Sequence, residues 1–247
     1  MVSTRQHPSD FFSKSISSPT QAAGKKHDVT TTNTRQWRHT PSKIVTPWLC
    51  LSIPLVLWDA SYVLCRPHSM PGGKLHYLWT PYGLYGKIDY LYGWPAWSNG
   101  NGFTSAQVIM NLVESSCYLF YLHVLFQYGT TLDQNGGRKR GTTRKSGPLD
   151  PKKYIGGRLG AIAVLVVFSA SVMTVSKTLL YALNEACSGF DNVRHNGFWT
   201  LIFLYIIPNG LWIVVPGYAS YYFGKEIINA IESPSALTDV SGDLKLK

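Results

Sequence analysis

Four apolar blocks divide this chain, and each is long enough to cross the hydrocarbon of a bilayer. They run over Thr46–Cys65, Thr104–Tyr128, Leu159–Ala186 and Phe198–Phe223. A helix needs about 20 predominantly apolar residues to span that layer, and every block meets the length. Pro54 in the first block and Pro208 and Pro216 in the fourth are compatible with a membrane helix, whose neighbours can satisfy a freed carbonyl. The overall mean hydropathy is close to zero, as in a soluble protein, because polar segments between the blocks offset them. A large soluble bundle with four buried helices explains the lengths less well. The expected fold class is an all-α membrane protein, a bundle of four transmembrane helices with an intramembrane pocket.

The 247 residues carry a formal net charge of +10, unevenly placed. Arg5, Lys14, Lys25, Lys26, Arg35, Arg38 and Lys43 precede the first block. Arg138, Lys139, Arg140, Arg144, Lys145, Lys152 and Lys153 lie between the second and third. Lys and Arg accumulate on the cytoplasmic side, which puts both termini and the middle loop in the cytosol. The aromatic-rich stretch Tyr77–Trp97 then faces the lumen. Topology accounts for the basic loops without a nucleic-acid partner. The first 45 residues are polar, lack an apolar signal core and read as a disordered cytosolic tail. Residues 46–225 form the membrane domain, and 226–247 a second cytosolic tail. The expected location is the endoplasmic reticulum membrane. Cys50, Cys65, Cys117 and Cys187 form neither a disulfide framework nor a metal-binding spacing, and no metal or cofactor is expected.

The polar residues inside the blocks carry the functional signal. Asp59, Glu114, Lys177 and Glu185 are ionisable groups in apolar segments. Such groups are costly in hydrocarbon and face a protein interior or a wet cavity. An ion pair of Lys177 with Asp59 or Glu114 that merely holds the bundle together is the plain alternative. Gln107, Asn111, Glu114 and Tyr118 follow a four, three, four spacing, which puts them on one helix face. Lys177, Tyr181 and Glu185 fall four apart, and Asn209 and Trp212 three apart. Stripes of this kind converge on a shared interior suited to a hydrophobic molecule with few polar groups. A carboxyl group kept protonated by a low dielectric can act as a general acid towards an alkene. A Trp face stabilises the resulting cation. Glu114 as acid, Trp212 as cation stabiliser and Asp59 or Asn209 as proton partner fit a double-bond shift. Gln107, Asn111, Tyr118, Tyr181 and Lys177 would line the substrate. Trp212 as simple helix packing is the plainer alternative.

The segment Leu204–Gly217, LYIIPNGLWIVVPG, resembles the last helix of the emopamil-binding protein family, with Asn209, Trp212, Pro216 and Gly217 on its motif. That family includes the eukaryotic sterol delta-8, delta-7 isomerase and shares its four-helix domain with the sigma-2 receptor. Phe103 and Thr104 followed by Glu114 resemble the helix that carries the family's essential Glu. LWTPYGLYGKIDYLYG resembles its lumenal stretch. LLYALNEACSGF matches the end of the next helix at Tyr181 and Glu185, and PLVLWDASYVLCRP places Asp59 at the family's acidic position. The resemblance covers about Thr46–Lys225. It implies a membrane-embedded isomerase acting on a sterol or other lipophilic, including specialised-metabolite, substrate. The same proton transfer could start a cyclisation instead.

The chain departs from that pattern in several places. The isomerases carry a His one turn before the acidic residue of the first helix, where this chain has Leu55. The acid is Asp59 rather than Glu. An N-terminal membrane helix is replaced by the polar tail, and GWPAWSNGNG has no counterpart. Lys177 and Thr178 stand where the isomerases have Gly and Asp. The expected partners are the bilayer and a sterol or other hydrophobic small molecule, and a homodimer stays open. A non-catalytic lipophilic-ligand binder is the main alternative, and a structural or trafficking protein without a pocket is the third.

Overall fold

The computed structural model describes residues 37–131 and 153–232. The tails at 1–36 and 233–247 and the basic loop at 132–152, with most of the cations behind the topology argument, lie outside the described residues.

Among the described residues, four helices are long and apolar enough to span a membrane: Val45–Leu64, Phe103–Tyr128, Gly157–Cys187 and Phe198–Ile231. At about 1.5 Å per residue even the shortest, of 20 residues, reaches the thickness of a hydrocarbon layer. The first is α1. Two short helices follow, α2 at Tyr82–Ile88 and α3 at Trp94–Ser98. The next long ones are α4 at Phe103–Tyr128 and α5 at Gly157–Cys187. The last long helix has three parts: α6 at Phe198–Leu201, a widened π turn at Ile202–Ile206, and α7 at Ile207–Ile231. Pro208 explains the widening. Its ring occupies the space of the amide proton that would bond the Leu204 carbonyl, and an extra residue in the preceding turn relieves the clash.

The four long helices form a ring. α5 packs on α4 and α7, and α1 packs on α4 and touches α7 over a shorter seam. The main apolar core joins Val45, Leu49, Ile53, Tyr121, Leu125, Val164, Val167 and Phe223. Side chains such as Leu51, Ile109, Leu165, Leu180 and Val214 point outward and exposed. That outer apolar surface is what a lipid-facing bundle presents.

Three expectations need correction. The fold is not purely helical. Arg38–His39 (β1), Thr130–Thr131 (β2) and Lys153–Gly156 (β3) form a small antiparallel sheet in the order β1-β3-β2. The polar tail expected over residues 1–45 is ordered from at least Trp37, because His39 is wholly buried. Its ring bonds the Glu226 carboxylate through Nδ1 and the Tyr121 hydroxyl, 2.7 Å away, through Nε2. The same pairing shows that Glu226 is part of the bundle and not the start of a tail; α7 continues to Ile231. Two polar groups that satisfy each other can be buried where either alone would cost several kcal/mol.

Candidate functional site

Sequence spacing puts Gln107, Asn111, Glu114 and Tyr118 on one stripe of α4, and the structure turns that stripe inward. Asp59 comes from the last turns of α1, Lys177 and Tyr181 from α5, and Asn209 and Trp212 from the first turns of α7. All nine side chains lie on the wall of one cavity of about 520 Å³. The rest of the wall includes Ile53, Leu55, Leu204 and Pro208. Glu185, the tenth residue singled out by spacing, is not part of it. Its carboxyl is turned towards the loop after α5, where the Asn192 side chain donates to Oε1 at 2.6 Å. A four-residue step advances about 400° around a helix, so the stripe drifts off the cavity face two steps beyond Lys177.

The two acids of the cavity are held by different chemistry. Lys177 Nζ donates to Glu114 Oε2 at 3.0 Å and also to the Asn111 side-chain oxygen. The Thr174 hydroxyl donates to the same Oε2 at 2.8 Å, and the Tyr118 and Thr174 hydroxyls are bonded at 2.8 Å. Glu114 Oε1, in contrast, is buried without a hydrogen-bond partner among the described residues. Such an atom loses its hydration without replacement, so a bound molecule that brings a donor to it gains there. Asp59 has no cation at hydrogen-bond distance among the described residues. Its two oxygens accept from the Tyr82 hydroxyl at 2.5 Å and the Tyr92 hydroxyl at 3.4 Å. Gln107 donates to the Lys177 carbonyl at 3.4 Å, and Asn209 to the Tyr205 carbonyl at 2.8 Å, so each also braces a helix. The Trp212 ring meets Trp48 edge-on with centroids 5.2 Å apart, closing the short seam between α1 and α7 while it lines the cavity.

The residues between α1 and α4 supply what spacing within the helices could not show. They fold as a cap over one end of the bundle. Tyr82 stacks on Tyr62 with centroids 4.0 Å apart, and Tyr85 meets Tyr92 edge-on at 5.0 Å. The Trp79 indole donates to the Trp58 carbonyl at 3.0 Å, and the Tyr62 hydroxyl to the Tyr92 carbonyl at 2.9 Å. Buried Arg66 reaches the Leu91 carbonyl at 3.3 Å. Tyr82, Tyr85 and Tyr92 therefore close the cavity and aim two hydroxyls at Asp59. Burial first, and nearby Asp59 second, hold the Tyr82 and Tyr92 hydroxyls far above their ordinary titration range, so they remain donors. Asp89, at the end of α2, is completely buried. It accepts from the Tyr181 hydroxyl and, at 3.0 Å, from the Leu91 amide. Burial pushes its carboxyl up to about 6, although both hydrogen bonds favour the ionised form. The clue available in the sequence was the density of Tyr in a stretch too polar to be core. Its Asp and Tyr residues could be placed on the lumenal side but not over a helix end.

The arrangement combines an apolar chamber, two carboxyl groups, one amine and an indole face. It can hold a lipophilic molecule, give it a proton at one place and remove one at another. No family model, no curated protein and no solved structure matches this chain.

Proposed function

We propose that the chain is a membrane-embedded isomerase that moves a carbon–carbon double bond in a sterol or another lipophilic substrate by protonation and deprotonation. The observation that carries this reading is Glu114: one carboxylate oxygen is anchored by Thr174 and Lys177, the other is buried and unpartnered, and the residue lines an apolar cavity. A proton held between Lys177 and Glu114 is delivered to an alkene carbon. Charge then develops on the substrate, and the Trp212 face stabilises it. Asp59, with its tyrosine hydroxyls, takes a proton from a neighbouring carbon. Gln107 ties α4 to α5 through the Lys177 carbonyl, and Asn209 lines the cavity beside Trp212. The resemblance of Leu204–Gly217 to the emopamil-binding family supports the same reading, as does an outer surface suited to lipid in a membrane such as the endoplasmic reticulum. Both termini then lie in the cytosol.

A second reading is a non-catalytic binder of lipophilic ligands. It is favoured by Leu55, which stands where the isomerases resembled here have a His, and by the Lys177–Glu114 ion pair, which neutralises the acid at rest. Expression in yeast lacking its own sterol isomerase separates the two for sterols. Rescue by the natural chain and at least a 100-fold loss with Glu114→Gln is the expected outcome, in the range typical of a lost general acid. Absence of rescue, together with an unchanged lipid profile when the chain is deleted in its own cells, removes the isomerase and leaves the binder.

A further inference from the structure

Lys177 puts an amine into the cavity beside the two carboxyl groups. We propose that its amine condenses with the carbonyl of an apolar aldehyde or ketone held in the cavity, with Glu114 as its proton partner. The proposal deepens the reading above by naming the substrate class. It depends on the cavity as a ligand chamber and not on the double-bond shift itself.

Lys177 lines the cavity, and its side chain is only 10% exposed. A lysine desolvated in an apolar pocket is the usual setting for an imine-forming amine. Buried carboxylates inside membrane bundles serve as counter-ions to bound cationic ligands, and Glu114 stands 3.0 Å from Nζ. Asn111 holds the amine from a second direction, so its position on the wall is set before a ligand arrives. The buried, unpartnered Glu114 Oε1 gives the carboxyl a free site for a proton while Oε2 remains bonded.

The chemistry balances without a redox partner. Glu114 takes one proton from the Lys177 ammonium and frees the nitrogen lone pair. The nitrogen attacks the carbonyl carbon; the C–N bond forms as the carbonyl π bond breaks, and a proton passes from nitrogen to oxygen. Glu114 returns its proton to that hydroxyl, which leaves as water while the lone pair forms the C=N bond. Two of the three ammonium protons thus leave with the carbonyl oxygen, and an iminium ion remains beside the Glu114 carboxylate. In an unsaturated carbonyl compound this cation acidifies the neighbouring C–H. Loss of that proton to a carboxylate and reprotonation two carbons further along shift the double bond. Hydrolysis then releases the product. This route places the positive charge on nitrogen, next to its counter-ion, and avoids an isolated carbocation.

The test is reductive capture. The full chain in phosphatidylcholine nanodiscs is treated with dodecanal and sodium cyanoborohydride, and the modified lysine is mapped by peptide mass spectrometry. One dodecyl group per chain on Lys177 is expected, reduced at least tenfold by excess 1-dodecanol. K177R keeps a cation beside Glu114 and should lose this adduct, leaving only diffuse labelling of exposed lysines. E114Q should slow capture at least tenfold. Thermal protection by dodecanol reports separately on ligand binding. Protection without a Lys177 adduct overturns the imine and leaves the cavity reading intact. Neither protection nor adduct overturns both.

Discussion

Glu114 and Asp59 are two acids of one cavity, and the difference between their partners sets what each can do. Glu114 is matched by a cation, so removing Lys177 leaves a buried carboxylate uncompensated. Lys177→Met should therefore destabilise the chain by about 3–5 kcal/mol, read by thermal unfolding in detergent. The double variant with Glu114→Gln should recover much of that loss, because a neutral amide no longer needs a cation. If both variants are equally unstable, the pair is not coupled as the 3.0 Å contact indicates. Asp89 supports a pH prediction. Its carboxyl lies near 6 in the folded chain, above its ordinary 3.8. The folded state thus binds the proton more tightly than the unfolded one. The associated stability is complete below about pH 4 and is lost as pH rises through about 6, a change on the order of 2–3 kcal/mol. Asp89→Asn should flatten the dependence of thermal midpoint on pH across that window; an unchanged slope would refute the assignment. The inward stripe of α4 was readable from spacing because helix periodicity is local. The choice of Lys177 for Glu114, leaving Asp59 to tyrosines, was not, since it depends on how far each helix slides along its neighbours.

The elements that mattered most beyond the four spans are the cap and the N-terminal strap. Gly86 and Gly93 touch where the chain turns between α2 and α3: a Cβ on Gly93 would come within 2.2 Å of the Gly86 carbonyl oxygen. Gly93→Ala should loosen the cap and shift Tyr92 away from Asp59. The expected readout is a lower thermal midpoint together with weaker protection by dodecanol, whereas an unaltered midpoint would show that the turn tolerates the methyl group. At the other end, β1 and His39 strap the segment before α1 to α4 and α7. His39→Ala removes a buried side chain that bonds both Tyr121 and Glu226, at an expected cost of about 2–4 kcal/mol in unfolding free energy. Because none of His39, Tyr121 and Glu226 lines the cavity, ligand protection should survive the substitution. A polar tail gave no sign of this docking: two-residue strands have no periodicity to read, and the partners of His39 lie 82 and 187 residues away.

Taken as a whole molecule, the ring of four spans puts both ends of the described chain at the sheet end and the cap at the other. An even number of crossings requires that arrangement. Among the described residues, cations occur at both ends: Arg38, Lys43, Lys153 and Arg158 beside the sheet, and Arg66, Lys74, Lys87 and Arg194 around the cap. The asymmetry behind the expected orientation therefore comes from residues 1–36 and 132–152. An N-glycosylation acceptor inserted after Asn99 should be modified in microsomes, and one inserted near Arg140 should not. The reverse pattern would invert the topology and place the cap in the cytosol.

The amino-acid sequence alone determined the number of spans, their approximate limits and which face of each carries polar groups. Those properties follow from hydrocarbon thickness and from 3.6 residues per turn, and both act along a single segment. The tertiary structure decided which polar groups meet. It paired Lys177 with Glu114, set Tyr82 and Tyr92 over Asp59, turned Glu185 away and drew His39 into the bundle. Each of these depends on the rotation and height of separate helices and on the path of the cap between them, which no single stretch of chain encodes.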